Sequence, residues 1–224
     1  MKIIRYINIL LSFVCLFSLR IFAQDGAKPY FEGSIQFEVQ MKGPQAEVIK
    51  ENEPNTQLLM HMKGGNYIVQ LSGGKYPKTF IFISDSNYEY SMDMVNKRAF
   101  RFSSFTDLNK AEPEEAPLAK STGTQLEING VLCDEYKLRK GDALFTYYVN
   151  DSYRINTQLY PANTRAKASF LAAGLDGRIP LKTIKQESGI TVITTANKIT
   201  RKEFDVEQFR IPMGFEVKNR DYRY

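Results

Sequence analysis

FEGSIQFEVQMK, residues 31–42, alternates. Phe31, Gly33, Ile35, Phe37, Val39 and Met41 fall on one side of an extended chain, and Glu32, Ser34, Gln36, Glu38 and Gln40 fall on the other. Successive side chains of a strand point in opposite directions, so a period of two marks a strand with one dry face and one wet face. A dry face of this kind is either core or an offer to an apolar partner, and the rest of the sequence bears on which.

Upstream, MKIIRYINILLSFVCLFSLRIFAQ has cations at Lys2 and Arg5, an apolar run from Ile7 to Leu19, and a small residue at Ala23 before Gln24. That pattern predicts a secretory signal over residues 1–23, cleaved to leave 24–224 as one domain. The run is about 13 residues long against the ~20 a spanning helix needs, so no stable membrane span is expected after cleavage. An uncleaved anchor and a lipid-modified Cys15 are the alternatives; Val14 stands before Cys15 where a small residue is expected. The mature protein is therefore expected to cross the inner membrane and work in the periplasm or outside the cell.

The full chain has 30 Lys+Arg and 25 Asp+Glu. Lys2, Arg5 and Arg20 belong to the signal, which has no acid, so 27 against 25 remain and the excess falls to +2. No clustered basic face of the kind nucleic acid requires is visible outside the last two dozen residues. After cleavage Cys133 is the only thiol, which excludes an intramolecular disulfide. In VLCDEYKL it shares a side with Val131 and reads as a small buried hydrophobe.

Strand follows strand downstream. LLMHMKGGNYIVQLS pairs two strands around Gly64-Gly65, and KTFIFIS is apolar on both sides, as a central strand covered on both faces would be. NYEYSMDMVNKRAFRF is a hairpin turning at Asn96-Lys97, with Tyr88, Tyr90, Met92 and Met94 on one side. GPQAEVIKENEPN reads as a hairpin connection or frayed strand ends. The stretch 107–124, DLNKAEPEEAPLAKSTGT, has two prolines, three glutamates and no apolar period, and is expected to be a mobile acidic loop. Turns at Asn129-Gly130, Lys140-Gly141-Asp142 and Ser188-Gly189 divide the remainder into further strands. TRAKASFLAAGLDG offers a helix around Ala166–Leu175. The fold expected is mainly β with one or two helices: a strongly curved antiparallel sheet of about nine to eleven strands, an unclosed β-barrel whose concave side the helix plugs as a lid.

Several phrases carry a resemblance: the opening FEGSIQFEV, the hairpin YEYSMDMVNKRAFRF, INGVLCDEYKL with Gly130 and Cys133, GLDGRIPLKT with Gly177 and Pro180-Leu181, and FRIPMGF from Phe209 to Phe215. In these the chain resembles a secreted domain-of-unknown-function family of Gram-negative bacteria related to the periplasmic lipoprotein carrier and receptor fold. The resemblance implies an unclosed barrel with a helical lid. It supplies no catalytic residue.

Nor do the residues. His61 is the only histidine, and in LLMHMKGG it lies opposite Leu58, Met60 and Met62, on the polar side. One histidine and one thiol make no zinc site. There is no G-x-S-x-G elbow and no phosphate-cradling glycine loop. Neither cofactor nor metal is expected, and no catalytic residue can be named. The sequence is rich instead in large soft side chains, 15 Phe, 13 Tyr and 7 Met, which suit an apolar cavity as well as a core. The expected function is non-enzymatic binding of a lipid or lipid-modified chain, such as a lipoprotein, in the concave face. Phe31, Ile35, Phe37, Val39, Met41, Phe80, Phe82, Tyr88, Tyr90, Met92, Met94, Phe170 and Leu171 are the candidate lining. The alternative is a structural envelope protein that docks a protein partner through a sheet edge, the 107–124 stretch or the tail VKNRDYRY; a hydrolase comes third.

Overall fold

A computed structural model describes residues 30–103, 118–159 and 174–219. Twelve strands form one sheet: β1 Gly33–Lys42, β2 Gln57–Lys63, β3 Asn66–Ser72, β4 Lys78–Ile83, β5 Tyr88–Asp93, β6 Arg98–Ser103, β7 Lys120–Ile128, β8 Val131–Lys140, β9 Ala143–Arg154, β10 Arg178–Glu187, β11 Ile190–Arg201 and β12 Glu216–Asn219. Their spatial order is β12-β6-β5-β4-β3-β2-β1-β11-β10-β9-β8-β7. β1 is thus an interior strand, with the meander β2 to β6 built outward on one side. The second meander, β7 to β11, returns from the opposite edge to pair β11 with β1. All pairs are antiparallel except β12 with β6. The sheet is curved and unclosed, with β12 and β7 at its two edges.

Local chemistry accounts for the connections. Asn129 and Gly130 both have positive φ, 49° and 75°, as do Ser188 and Gly189, 49° and 78°; both pairs form two-residue hairpin turns. Gly33 answers to crowding: a Cβ there would stand 2.1 Å from the carbonyl oxygen of Thr200 on β11. Only glycine lets the two backbones approach so closely.

Three expectations change. The connection after β1 contains a short helix, Ala46–Lys50, anchored by the buried Ala46 and an ion pair of 2.6 Å between Lys50 and Glu47. The acidic stretch 107–124 is shorter than expected as a loop, because Lys120 onward is strand. Lys120 pairs with Lys137, and Gly123, at φ 77°, sits in the bulge where the register shifts between Ser121 and Gln125. Ser and Thr suit an edge strand, so the lack of apolar period there reflected exposure and not irregular backbone. The strands number twelve among the described residues because the parallel β12, Glu216–Asn219, joins the sheet beside β6. Residues 1–23, the acidic part 107–117, and Ala166 to Ala173 of the expected helical lid lie outside the described residues. Leu175, at the end of that stretch, is fully buried in the turn before β10.

Candidate functional site

Register assigns the faces, since residues directly opposite one another share a side. On β1, Ile35 and Phe37 are 0% and 4% exposed. Ile35 pairs with Met60, Met60 with Val69, and Val69 with Phe80. One row along, Gly33, Met62, Tyr67, Phe82, Glu89 and Phe102 face one another across six strands. Met60, Met62, Tyr67, Val69 and Phe82 join Phe31, Ile35 and Phe37 in the main buried cluster, and Phe80 packs against it. We call this the inner face. Its one carboxylate at this level, Glu89, is buried and accepts a 2.6 Å hydrogen bond from the Tyr67 hydroxyl. Tyr67 also stacks on Phe82, with ring centroids 5.2 Å apart.

The opposite face of the same strands is covered as well. Tyr90, Met92, Ile81 and Ala99 form a separate buried cluster, with Tyr88, Ile68, Ile83, Ile211 and Phe215 packed on it. The covering segment is C-terminal: Phe204 and Phe209 meet edge to face at 5.7 Å, and Phe204 stands 5.1 Å from His61. Burial under Phe204 holds the His61 imidazole pKa below its ordinary value, with the Lys202 charge adding to the effect. His61 is therefore half-buried beneath a ring, on the side opposite Met60 and Met62 as its spacing requires.

This corrects the grouping of candidate residues. Tyr88, Tyr90 and Met92 do not share a face with Ile35, Phe37, Phe80 and Phe82; the inner-facing residues of β5 are Glu89 and Ser91. Apolar alternation in that hairpin marks a second dry face, made dry by Ile211 and Phe215. The signal was present in FDVEQFRIPMGF, whose spaced apolar residues serve as this cover. Met94 belongs to neither face. It lies in the β5–β6 turn and is 59% exposed, beside Val95 at 90%. Phe170 and Leu171 lie outside the described residues.

Past Phe37 the inner face opens. Val39 and Met41 are half-buried. Val39 begins a row that continues through Thr194, Thr183, Tyr147 and Tyr136. Met41 begins the next, through Val192, Lys185, Phe145 and Leu138. The far ends of both rows enter another buried cluster, which contains Leu138, Tyr147, Val149, Ala119 and Leu175, with Tyr136 and Phe145 against it. Between Phe37 and those far ends, Val39, Met41, Val192, Thr194, Thr183 and Lys185 are all half-buried. Ile190 to Thr195 of β11 are half-buried throughout, on both faces. A half-buried stretch three strands wide, across β1, β11 and β10, therefore lies along these rows between Phe37 and the cluster of Tyr147 and Leu138, while the main cluster reaches the second meander elsewhere, through Ile128, Cys133, Ile179, Leu181 and Ala196. Sequence reasoning named Val39 and Met41 but missed their partners, which only the β1–β11 pairing brings alongside.

Lys185 lies in this half-buried stretch. Its Nζ stands 5.8 Å from the Phe145 ring centroid and 2.6 Å from an oxygen of Glu187, two residues further along the strand. Elsewhere in the second meander, Glu135 accepts hydrogen bonds from the Tyr148 hydroxyl at 2.7 Å and from Thr122 at 3.0 Å, and pairs with Lys137 at 3.2 Å. The Tyr148 bond is the main reason the Glu135 carboxyl lies below its usual value. Burial, helped by the hydrogen bond to Glu135 and its charge, pushes the Tyr148 phenol up to about 12. Cys133 is buried and burial raises its thiol to about 11, so it is held as a thiol. Around Gln36, Leu59, Gln70, Pro77 and Thr79 there is a shallow cleft of ≈ 310 Å³, which contains none of the candidate lining residues.

Among the described residues no group of three or more His, Cys, Asp or Glu is arranged to hold a metal, and no helix is long and apolar enough to cross a membrane. No family model matches the chain, and no curated protein matches it. Solved structures do. An uncharacterized conserved protein from Thermus thermophilus is similar at 13% identity and a TM-score of 0.47, covering 84% of this chain and 91% of its own. The lipoprotein LppX of Mycobacterium tuberculosis is similar at 8% identity and a TM-score of 0.39, covering 78% and 90%. The LprF protein of Mycobacterium bovis is similar at 9% identity and a TM-score of 0.33, covering 81% and 89%. At TM-scores below 0.5 none of these likenesses bears on what this chain does.

Proposed function

We propose that this is a secreted, non-enzymatic cell-envelope protein that holds a hydrophobic ligand, a lipid or a lipid-modified chain, on the inner face of its curved sheet. The observation that carries the reading is the half-buried stretch of β1, β11 and β10 that follows Phe37 along the rows toward Tyr147 and Leu138. Phe31, Ile35, Phe37 and Phe82 are already packed by the protein's own side chains and are core. Beyond them Val39, Met41 and Val192 continue the same dry face while remaining partly in water. Apolar surface left open between two well-packed regions is where an acyl chain gains most from burial, at about 0.8 kcal/mol per CH₂. The site is thus smaller than the thirteen candidate residues and displaced toward the second meander.

Native mass spectrometry of gently purified protein, with organic extraction alongside, tests it. An adduct of lipid mass that Val192→Glu abolishes supports the reading. A clean apo mass with no extractable lipid, and no uptake from added lipid, rejects it. Intact mass of protein from the native host tests secretion, which requires loss of residues 1–23.

A second reading, docking to an envelope protein partner, is favoured by the exposed turns at one end. Met94 and Val95 are held outward in a turn fixed by the Asp93 carboxylate, which accepts from the amides of Val95 and Asn96. Met213 is fully exposed in the turn before β12, whose first residue bonds Lys97. Crosslinking from Met94 in intact cells to one stoichiometric partner would favour docking over carriage.

A further inference from the structure

We infer that the ligand on the half-buried stretch is an anionic amphiphile, its chain across Met41 and Val192 and its headgroup on the ammonium of Lys185. The inference rests on the proposed function and gives it a substrate class. Three observations carry it. First, Lys185 sits in the same cross-strand row as Met41, Val192 and Phe145, between Val192 and Phe145, so a charge stands within reach of the apolar strip. A lysine can lie along such a surface and keep its head wet; here its Nζ is 5.8 Å from the Phe145 ring centroid and its side chain is 40% exposed.

Second, the adjoining row brings two hydroxyls near it. Thr183 lies two residues away on the same strand and face, and it pairs directly with Thr194. Two residues along a strand is about 6.6 Å, within which a carboxylate or phosphate can meet both the ammonium and a hydroxyl. The site therefore offers donors around a single cation, the complement of an acidic headgroup.

Third, the cation already carries a carboxylate. Glu187 Oε2 holds Lys185 Nζ at 2.6 Å, with 46% of the Glu187 side chain exposed. An ion pair so open to water contributes little to stability and exchanges readily for another anion. Glu187 thus occupies the position a ligand headgroup would take, and binding exchanges one carboxylate for another.

The test compares two fluorescent probes with one chain: cis-parinaric acid and its methyl ester, titrated into the full-length mature protein. The acid is expected to bind about tenfold more tightly than the ester, as one charge-assisted contact implies. Lys185→Met retains most of the stem and should bring the acid down to the ester's affinity. Glu187→Gln should move the acid the other way, which a merely damaged fold would not do. Val192→Glu should weaken both probes. Equal binding of acid and ester to the unaltered protein, or an acid preference that survives Lys185→Met, overturns the headgroup assignment while leaving an apolar site standing. Binding of neither probe overturns both that assignment and the proposed function.

Discussion

β4 and the first half of β11 are both interior strands of one sheet, yet they live in different surroundings. β4 is packed on both sides, with Phe82 in the main cluster of the inner face and Ile81 under the C-terminal segment on the other. Ile190 to Thr195 of β11 are buried on neither side. Hydrogen bonding within the sheet is similar in the two, so the contrast lies in what covers them. An interior position satisfies the backbone; it does not by itself bury side chains. Stability should therefore concentrate around β3 to β5, leaving the β10–β11 hairpin end the more readily opened.

The largest expected effect tests that contrast directly. Phe82→Ala removes a ring that is 1% exposed and stacked on Tyr67, and should cost about 3–5 kcal/mol in chemical denaturation. Val192→Ala, in the half-buried row, should cost under about 1 kcal/mol. Equal costs would mean that the two regions are packed alike and would remove the basis for a binding site there.

Next comes the cover itself. Phe209 is 1% exposed and meets Phe204 edge to face, so Phe209→Ala should cost about 3 kcal/mol and open residues 204–215 to proteolysis. If the protease pattern is unchanged, the outer cluster does not depend on that segment.

Tyr148→Phe probes the polar contacts of the second meander. Losing the hydrogen bond to the Glu135 carboxylate should cost about 1.5–3 kcal/mol at neutral pH. The Glu135 carboxyl lies below 4.5 in the folded protein, so its ionised form stabilises the fold above that pH. That contribution fades as pH falls through the lower folded value. The gap between variant and parent should accordingly narrow in acid, measured as the denaturant midpoint at successive pH values. A constant gap would assign the loss to packing.

His61 should give the smallest effect. Its folded pKa is lowered from 6.5, so the unfolded chain takes up the proton first and stability declines as pH falls from about 6.5. His61→Leu should flatten that slope. An unchanged slope would place its origin elsewhere.

Much of this was written in the sequence. FEGSIQFEVQMK specified a strand and its dry face, and KTFIFIS announced cover on two sides. The turns Asn129-Gly130 and Ser188-Gly189 required positive φ and had it. The facing of β5 could not be read, because Tyr88, Tyr90 and Met92 look equally dry against either face. What decides it is a cover supplied by Ile211 and Phe215, more than a hundred residues later. The half-buried stretch was partly visible for the same reason: Val39 and Met41 are local, while Val192 and Lys185 reach them only through long-range pairing. Lys120 to Thr124 looked like loop because an exposed edge strand has no dry face to advertise.

The placement of β1 also governs how the chain can acquire its structure. β1 finds one neighbour soon, in β2, but Gly33 meets its partner Arg201 across 168 positions of sequence. A chain made from the N-terminus must carry β1 with one open edge until β11 has emerged. Contacts of such long sequence separation make folding slow. Completion of the sheet therefore waits for β11, and until then the growing chain passes through a state with β1 half-paired and its inner face uncovered.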